Sequence, residues 1–308
     1  MVTALYTHPD CDAHASPPGH PEQTARLAAV ADCLAAMDLL RIEAPLGEAS
    51  DILRCHPQHY IERVKASIPT NGWSHMDGDT YLAPGSDLAA LRGVGGVCAA
   101  VDLVLSGGAA NAFVATRPPG HHAETETAMG FCLFGNVAIA AMRALDHHGL
   151  SRVAIVDFDV HHGNGTQDLL WHEPRALFAS SQQMPLYPGS GAMSETGAHG
   201  QIVNLPLRPG SGSAEMRRGY EDHIWPQIDA FAPELILVSA GFDAHADDPL
   251  ANLMWHKADF AWLTERICDL ADKHCAGRVV SALEGGYDLE ALADSAAAHV
   301  NVLKERGI

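Results

Sequence analysis

Short apolar runs alternate along the chain with longer segments of helical periodicity. Residues 152–156 form an apolar, β-branched run, which predicts a buried strand. Further strands are predicted at 2–7, 112–115, 176–179, 202–207, 234–239 and 278–283. Helices are predicted at 21–40, 57–68, 86–105, 134–148, 166–171, 213–230, 256–273 and from 288 onward. Repeated strand–loop–helix units predict an α/β fold, a single-domain open parallel β-sheet flanked by helices over residues 1–308.

The strand at 152–157 is followed by an abruptly polar stretch, residues 157–166, with the sequence DFDVHHGNGT. Such strand ends are where open α/β sheets place their ligands. Asp159 and His161 are two residues apart, so in extended backbone their side chains point the same way. A carboxylate and an imidazole aimed at one point suit a divalent transition metal such as zinc, and a third ligand must come from elsewhere. Taken alone, the stretch also fits a polar loop with solvated side chains.

Polar clusters follow three more strands of the predicted sheet. Residues 117–122 (RPPGHH) place two adjacent histidines after a stiff turn, as an acid–base pair requires. Residues 240–250 (AGFDAHADDPL) supply carboxylates that could complete a metal site, and residues 283–287 (LEGGY) present a tyrosine beside two glycines. Because the carboxyl ends of parallel strands meet at one edge, the four clusters together predict an active site there.

Composition excludes several classes of function. The formal net charge of −19 over 308 residues predicts no binding to nucleic acid or to anionic membrane. Seven cysteines at irregular spacings, without a Cys-x-x-Cys pair, favour a reducing compartment over a disulfide framework. We identify neither a signal peptide nor a membrane span, and we predict a cytoplasmic location.

These clusters, together with residues 19–22 (GHPE) and 130–134 (GFCLF), resemble the zinc-dependent histone deacetylase superfamily. The resemblance is closest to the class II enzymes and to their bacterial deacetylase and acetylpolyamine amidohydrolase relatives. It implies one Zn²⁺ per chain. The implied zinc ligands are Asp159, His161 and Asp248, the last chosen because it stands in an Asp-Pro-Leu sequence.

The resemblance also implies a role for each catalytic residue. His122 is the expected general base and acid, and His121 its electrostatic partner, oriented by Asp157. Asn164 stands behind His122 where many relatives have Asp, and an amide there cannot supply a negative charge. Tyr287 is expected to donate a hydrogen bond to the developing oxyanion.

Substrate contacts and a second ion are implied as well. Expected substrate-binding residues are Gly130, Phe131, Tyr187, Leu250 and Asp79, although Asp79 also fits a solvated loop residue and Phe131 a core residue. A potassium site is implied near the zinc, formed by Asp157, Asp159, His161 and Ser180.

The implied reaction is removal of an acetyl or short acyl group from the side-chain amine of acyl-lysine in a peptide or protein. An acetylated polyamine is the alternative substrate; Leu250 favours acyl-lysine because one polyamine subgroup has Glu there. Two other functions stay open: a binding module that has lost catalysis, and a binuclear manganese enzyme of the arginase type. A homo-oligomer is also possible.

Overall fold

The computed structural model describes residues 2–307. The strands are β1 (Thr3–Thr7), β2 (Leu40–Glu43), β3 (Ser74–His75), β4 (Tyr81–Leu82), β5 (Asn111–Val114), β6 (Val153–Asp157), β7 (Ala176–Gln183), β8 (Ile202–Leu207), β9 (Leu235–Ala240) and β10 (Val279–Leu283). The α-helices are α1 (Ala25–Leu34), α2 (Ala49–Ile52), α3 (Gln58–Ala66), α4 (Ser86–Leu105), α5 (Asn136–Asp146), α6 (Asn164–Leu169), α7 (Ser213–Gly219), α8 (Trp225–Phe231), α9 (Lys257–Cys275) and α10 (Leu289–Arg306).

Within residues 2–307, eight strands form one open sheet in the order β2-β1-β5-β10-β9-β6-β7-β8. Every pairing in this sheet is parallel. The carboxyl ends of its strands therefore share one edge, which confirms the predicted open parallel sheet.

The sheet is buried on both faces. Along β6, Val153 and Ile155 pack into the apolar cluster that includes α4 and α5. Ala154 and Val156 pack into the opposite cluster, which includes α1, α9 and α10. This division follows from the two-residue period of a strand, and it explains why the central strands are apolar at nearly every position.

The predicted helix at 21–40 is too long at both ends, since α1 covers only Ala25–Leu34. Helix α1 ends at Leu34, and Leu40–Glu43 forms the edge strand β2, paired with β1. The sequence Leu-Arg-Ile-Glu alternates apolar and charged residues, as an exposed edge strand requires. The predicted helix at 213–230 is interrupted by a π-helical turn, Tyr220–Ile224, with Pro226 in the first turn of α8.

Helix α4 is apolar because it lies inside the protein. It is the one helix of residues 2–307 long and apolar enough to cross a membrane by length and composition, yet 61% of its most apolar window is buried. Gly95 brings it against the backbone around Pro45, where a Cβ atom would overlap the carbonyl oxygen. Close packing thus accounts for its glycines.

Candidate active site

Three ligand-type side chains meet beyond the ends of β6 and β9. Asp159, His161 and Asp243 each direct one oxygen or nitrogen atom to a common point, and these atoms lie within 4.8 Å of one another. His161 Nδ1 lies 3.1 Å from Asp159 Oδ1 and 3.1 Å from Asp243 Oδ2. All three residues are buried. One imidazole and two carboxylates form a donor set that fits Zn²⁺ with a position left open for water or substrate.

Backbone groups hold both carboxylates in place. Gly285 N donates to Asp159 Oδ2 at 2.8 Å, and Val160 N donates to Asp243 Oδ1 at 2.8 Å. A Cβ atom on Gly285 would overlap both carboxylates, so this position requires glycine. Burial and the nearby charge of Asp159 raise the pKa of Asp243 to about 7. Paired buried carboxylates of this kind are stabilised by a bound cation.

The structure corrects the predicted ligand Asp248. Its Oδ1 accepts a hydrogen bond from Leu250 N at 3.0 Å, and its Oδ2 accepts one from Tyr287 N at 2.7 Å. The carboxylate thus fixes two loops against each other, and it lies outside the group that could bind a metal. The ligand-type carboxylate is Asp243, three residues beyond the end of β9 and therefore still at the sheet edge.

The two adjacent histidines have different surroundings. His121 Nδ1 lies 3.0 Å from Asp157 Oδ2, whereas His122 Nδ1 lies 2.7 Å from Asn164 Oδ1. Burial lowers the pKa of His121, but the charges of Asp159 and Asp157 outweigh it and raise this pKa well above its ordinary value. Burial and the neighbouring charge of His121 hold the pKa of His122 well below its ordinary value. Two histidines whose pKa values are shifted in opposite directions are suited to distinct acid–base roles.

A cavity of about 360 Å³ is lined by His122 and His161. It is lined by His20, Pro21, Asp79, His122, Gly130, Phe131, His161, Leu186, Tyr187, Leu250 and Tyr287. The five residues predicted to bind substrate are therefore all on its wall, together with predicted catalytic and metal-binding residues. The Tyr187 ring lies edge-on to His122, with ring centroids 5.2 Å apart, and Phe131 lies edge-on to Tyr287 at 5.9 Å.

Gly130 and Phe131 both have positive φ angles, +54° and +68°. A Cβ atom on Gly130 would overlap the His122 ring, so the close approach of this loop requires glycine. For Phe131 the left-handed conformation is strained, as is common for residues that shape a binding site. Its backbone N–H donates to Thr80 Oγ1 at 3.1 Å, which holds the strained turn.

Tyr287 faces the cavity with its ring largely buried. Burial and the charge of Asp243 raise the pKa of its hydroxyl well above the ordinary value, so the hydroxyl stays a hydrogen-bond donor. The guanidinium of Arg26 lies 5.0 Å from the centre of the ring. The hydroxyl therefore has the protonation that an oxyanion donor needs.

A buried ionic network behind the cavity was missing from the sequence prediction. Arg26 donates to the carbonyl oxygens of Gly286 and Glu284 at 2.6 and 2.5 Å, and to Glu22 Oε1 at 3.0 Å. Arg117 also pairs with Glu22, and all three charged side chains are fully buried. The network braces the loop that carries Tyr287. Burial opposes ionisation of Glu22, but Arg117 and Arg26 lower its pKa to about 2.

Two of the residues predicted to bind potassium are neighbours in the sheet. Asp157 and Ser180 are paired residues of neighbouring strands, and Ser180 Oγ donates to Gln182 Oε1 at 2.9 Å. The potassium site stays a prediction.

Comparison with known proteins agrees with this geometry. The sequence matches the histone deacetylase domain over residues 20–303. The chain belongs to the histone deacetylase family. It is 40% identical to the histone deacetylase-like amidohydrolase of Pseudomonas aeruginosa, covering 87% of this chain and 71% of that protein. It is 37% identical to a probable deacetylase of Archaeoglobus fulgidus, covering 94% and 82%.

Solved structures give the same result. A crystal structure of the HDA15 HD domain superposes with a TM-score of 0.94 at 33% identity, covering 99% of this chain and 89% of that one. The chain is accordingly a deacetylase-type hydrolase of the histone deacetylase family, which is zinc-dependent. Enzymes with these names act on acetylated substrates.

Proposed function

We propose that this histone deacetylase family member is a zinc-dependent amidohydrolase that removes acetyl or short acyl groups from the side-chain amine of acyl-lysine. The observation that carries the proposal is that one cavity is lined by His161 of the Asp159–His161–Asp243 group together with His122 and Tyr287. Zn²⁺ bound by that group would polarise the amide carbonyl and lower the pKa of a water molecule. Asp243 replaces Asp248 in this ligand set.

The residues of the chain divide the acid–base work. His122, kept neutral by its surroundings, accepts a proton from the attacking water and returns it to the departing amine. His121, paired with Asp157, contributes positive charge beside the reacting carbonyl. The Tyr287 hydroxyl donates a hydrogen bond to the oxygen on which negative charge develops.

The walls of the cavity support an extended acyl-amine as substrate. Phe131 and Tyr187 line the cavity with aromatic rings, and Leu250 adds an aliphatic side chain. Such a passage suits the methylene chain of acyl-lysine, whose amide would reach the histidines while the peptide stays outside. The same features argue against a protein that only binds, since the ligand group, both histidines and the tyrosine are present together.

An acetylated polyamine is the second candidate, and the acidic residues at the mouth favour it. Asp79 lines the cavity, and Asp77 Oδ1 accepts the backbone N–H of Asp79 at 3.1 Å. Within the described residues, Asp79 Oδ1 is buried and has no hydrogen-bond partner. A distal ammonium group of a polyamine would satisfy it.

The test is steady-state hydrolysis of an acetyl-lysine peptide compared with acetylputrescine and acetylspermidine by the zinc-loaded protein. Peptide turnover that collapses in Tyr287→Phe supports the proposal. Turnover of the polyamines alone keeps the chemistry and overturns the substrate. Zinc-loaded protein that hydrolyses neither compound would overturn the proposed activity.

A further inference from the structure

The side-chain amide of Asn164 lies between His122 and a carboxylate that the proposed mechanism does not use. Asn164 Oδ1 is 2.7 Å from His122 Nδ1, and Asn164 Nδ2 donates to Glu124 Oε1 at 2.7 Å. The same amide nitrogen lies 3.3 Å from Met129 Sδ, a weak acceptor. His122, Asn164 and Glu124 thus form a hydrogen-bonded chain from the cavity wall to a half-buried carboxylate.

The chemistry of these groups gives the line a direction. A carboxylate accepts hydrogen bonds and cannot donate them, so the NH₂ end of Asn164 must face Glu124. The amide oxygen then faces His122 and can only accept, so the proton of a neutral His122 ring must sit on Nδ1. The Nε2 atom is left with a free lone pair, as a general base requires.

The position of Glu124 is fixed by the same helix that carries Asn164. Glu124 and Thr127 close a tight turn with backbone hydrogen bonds of 3.0 and 3.3 Å. Asp168 Oδ2, in the next turn of α6 after Asn164, accepts hydrogen bonds from Thr125 N at 2.8 Å and from Thr125 Oγ1 at 2.7 Å. These bonds tie the turn to the helix and keep the backbone of Glu124 beside Asn164.

We propose that Glu124 is a positioning residue that orients the Asn164 amide and thereby selects the Nδ1–H tautomer of His122. The inference rests on the proposed role of His122 as general base. An amide cannot by itself supply the negative charge that an aspartate would place behind His122. Here the negative charge belongs to Glu124, on the far side of the Asn164 amide, and it polarises that amide so that its oxygen becomes a stronger hydrogen-bond acceptor for His122.

A double-mutant cycle between Glu124→Gln and Asn164→Asp tests the orientation directly. In the wild-type background Glu124→Gln removes the fixed polarity, and kcat is expected to fall about tenfold, as for directly coupled polar groups. KM should change little because Glu124 does not line the cavity. In the Asn164→Asp background two carboxylates would face each other, so Glu124→Gln should raise kcat by providing a donor. The effect of Glu124→Gln on kcat is therefore expected to have opposite signs in the two backgrounds.

Glu126→Gln is the matched control. It removes the same charge two residues away, from a side chain that contacts the exposed His59 at 3.1 Å, and its kcat should equal that of the wild type. Equal kcat for Glu124→Gln and Glu126→Gln would overturn the proposal. A loss from Glu124→Gln in both Asn164 backgrounds would also overturn it, because it would show a purely structural role.

The ring tautomer gives a readout that does not depend on turnover. Long-range ¹H–¹⁵N correlation of His122 should show protonated Nδ1 in the wild type and a mixture of tautomers in Glu124→Gln. An unchanged tautomer would contradict the proposal. If the wild type hydrolyses no acyl amide, the proposed function fails, while this measurement still decides the role of Glu124.

Discussion

The two ends of the site differ in burial. We call the buried residues His122, His161 and Tyr287, with the carboxylates behind them, the closed end, and the more exposed Tyr187 and Asp79 the mouth. At the closed end, Asp157, Asp159 and Asp243 are completely buried, and each accepts a hydrogen bond from a backbone or ring N–H. At the mouth, Tyr187 is 39% exposed and Asp79 is half-buried on a loop between short strands. Burial and these hydrogen bonds restrict the side chains of the closed end, whereas the more exposed side chains of the mouth have fewer restraints.

This difference separates the reaction from the choice of substrate. The closed end belongs to strand ends whose positions are set by the whole sheet, so a substitution there should change chemistry for every substrate. The mouth belongs to loops, which vary without disturbing the sheet. Substitutions there should change which acyl-amine is used, with smaller effects.

The largest expected effect is at Asp243. Asp243→Asn should abolish stoichiometric zinc binding, measured by elemental analysis, and reduce kcat/KM by more than about 10³-fold, because the ion supplies several kcal/mol of the barrier reduction. Asp248→Asn should retain zinc, since its carboxylate binds only backbone N–H groups. Zinc lost from Asp248→Asn and retained by Asp243→Asn would restore the ligand set expected from the sequence.

Tyr287→Phe should have the next largest effect. Removing one donor to a developing oxyanion typically lowers kcat by about 10²–10³-fold, and zinc content should be unchanged. The loss should be similar for peptide and polyamine substrates because Tyr287 lies at the closed end. A loss confined to one substrate would show that the hydroxyl acts in substrate recognition. It would then contradict the assignment of chemistry to the closed end and of substrate choice to the mouth.

The ion pairs of Glu22 with Arg26 and Arg117 should stabilise the folded protein to a degree that falls at acid pH. Its pKa of about 2 in the folded protein lies below the ordinary 4.5, so its stabilisation is complete above about pH 4.5 and is lost as pH falls towards 2. The shift corresponds to roughly 3 kcal/mol. Urea unfolding at pH 5 and pH 3 should show the difference between wild type and Glu22→Gln shrinking at the lower pH. Glu62→Gln, on the exposed surface of α3, should follow the wild type; a constant difference for Glu22→Gln would contradict the prediction.

Most of the closed end could be predicted from the sequence because its residues lie within short segments at strand ends. Asp159 and His161 are two apart, and His121 and His122 are adjacent. The choice between Asp243 and Asp248 failed because both lie in one acidic segment, and only the path of the loop decides which carboxylate turns inward. Counting from the strand end would have favoured Asp243, which lies three residues after β9, as Asp159 lies two after β6.

Contacts between distant segments could not be predicted from spacing. Arg26 reaches carbonyl oxygens 258 and 260 residues away, and Asn164 meets Glu124 from 40 residues away. Edge strand β2 was missed because its four residues follow a helix without a turn signal that we recognised. In each case the sheet topology, which the sequence predicts only in outline, brings the segments together.

The smallest expected effect, at Asp79, decides what the mouth recognises. If Asp79 holds the distal ammonium of a polyamine, Asp79→Asn should lower kcat/KM for acetylspermidine relative to the acetyl-lysine peptide by about two- to fivefold, the usual strength of a partly exposed ion pair. Asp38→Asn, an exposed charge on another surface, should leave the ratio unchanged. A selective loss of peptide hydrolysis would mean instead that Asp79 contacts the peptide, and would favour acyl-lysine as the substrate. Because the closed end is untouched in either case, kcat with a saturating substrate should remain near the wild-type value, and a large fall in kcat for both substrates would show that mouth and closed end are coupled.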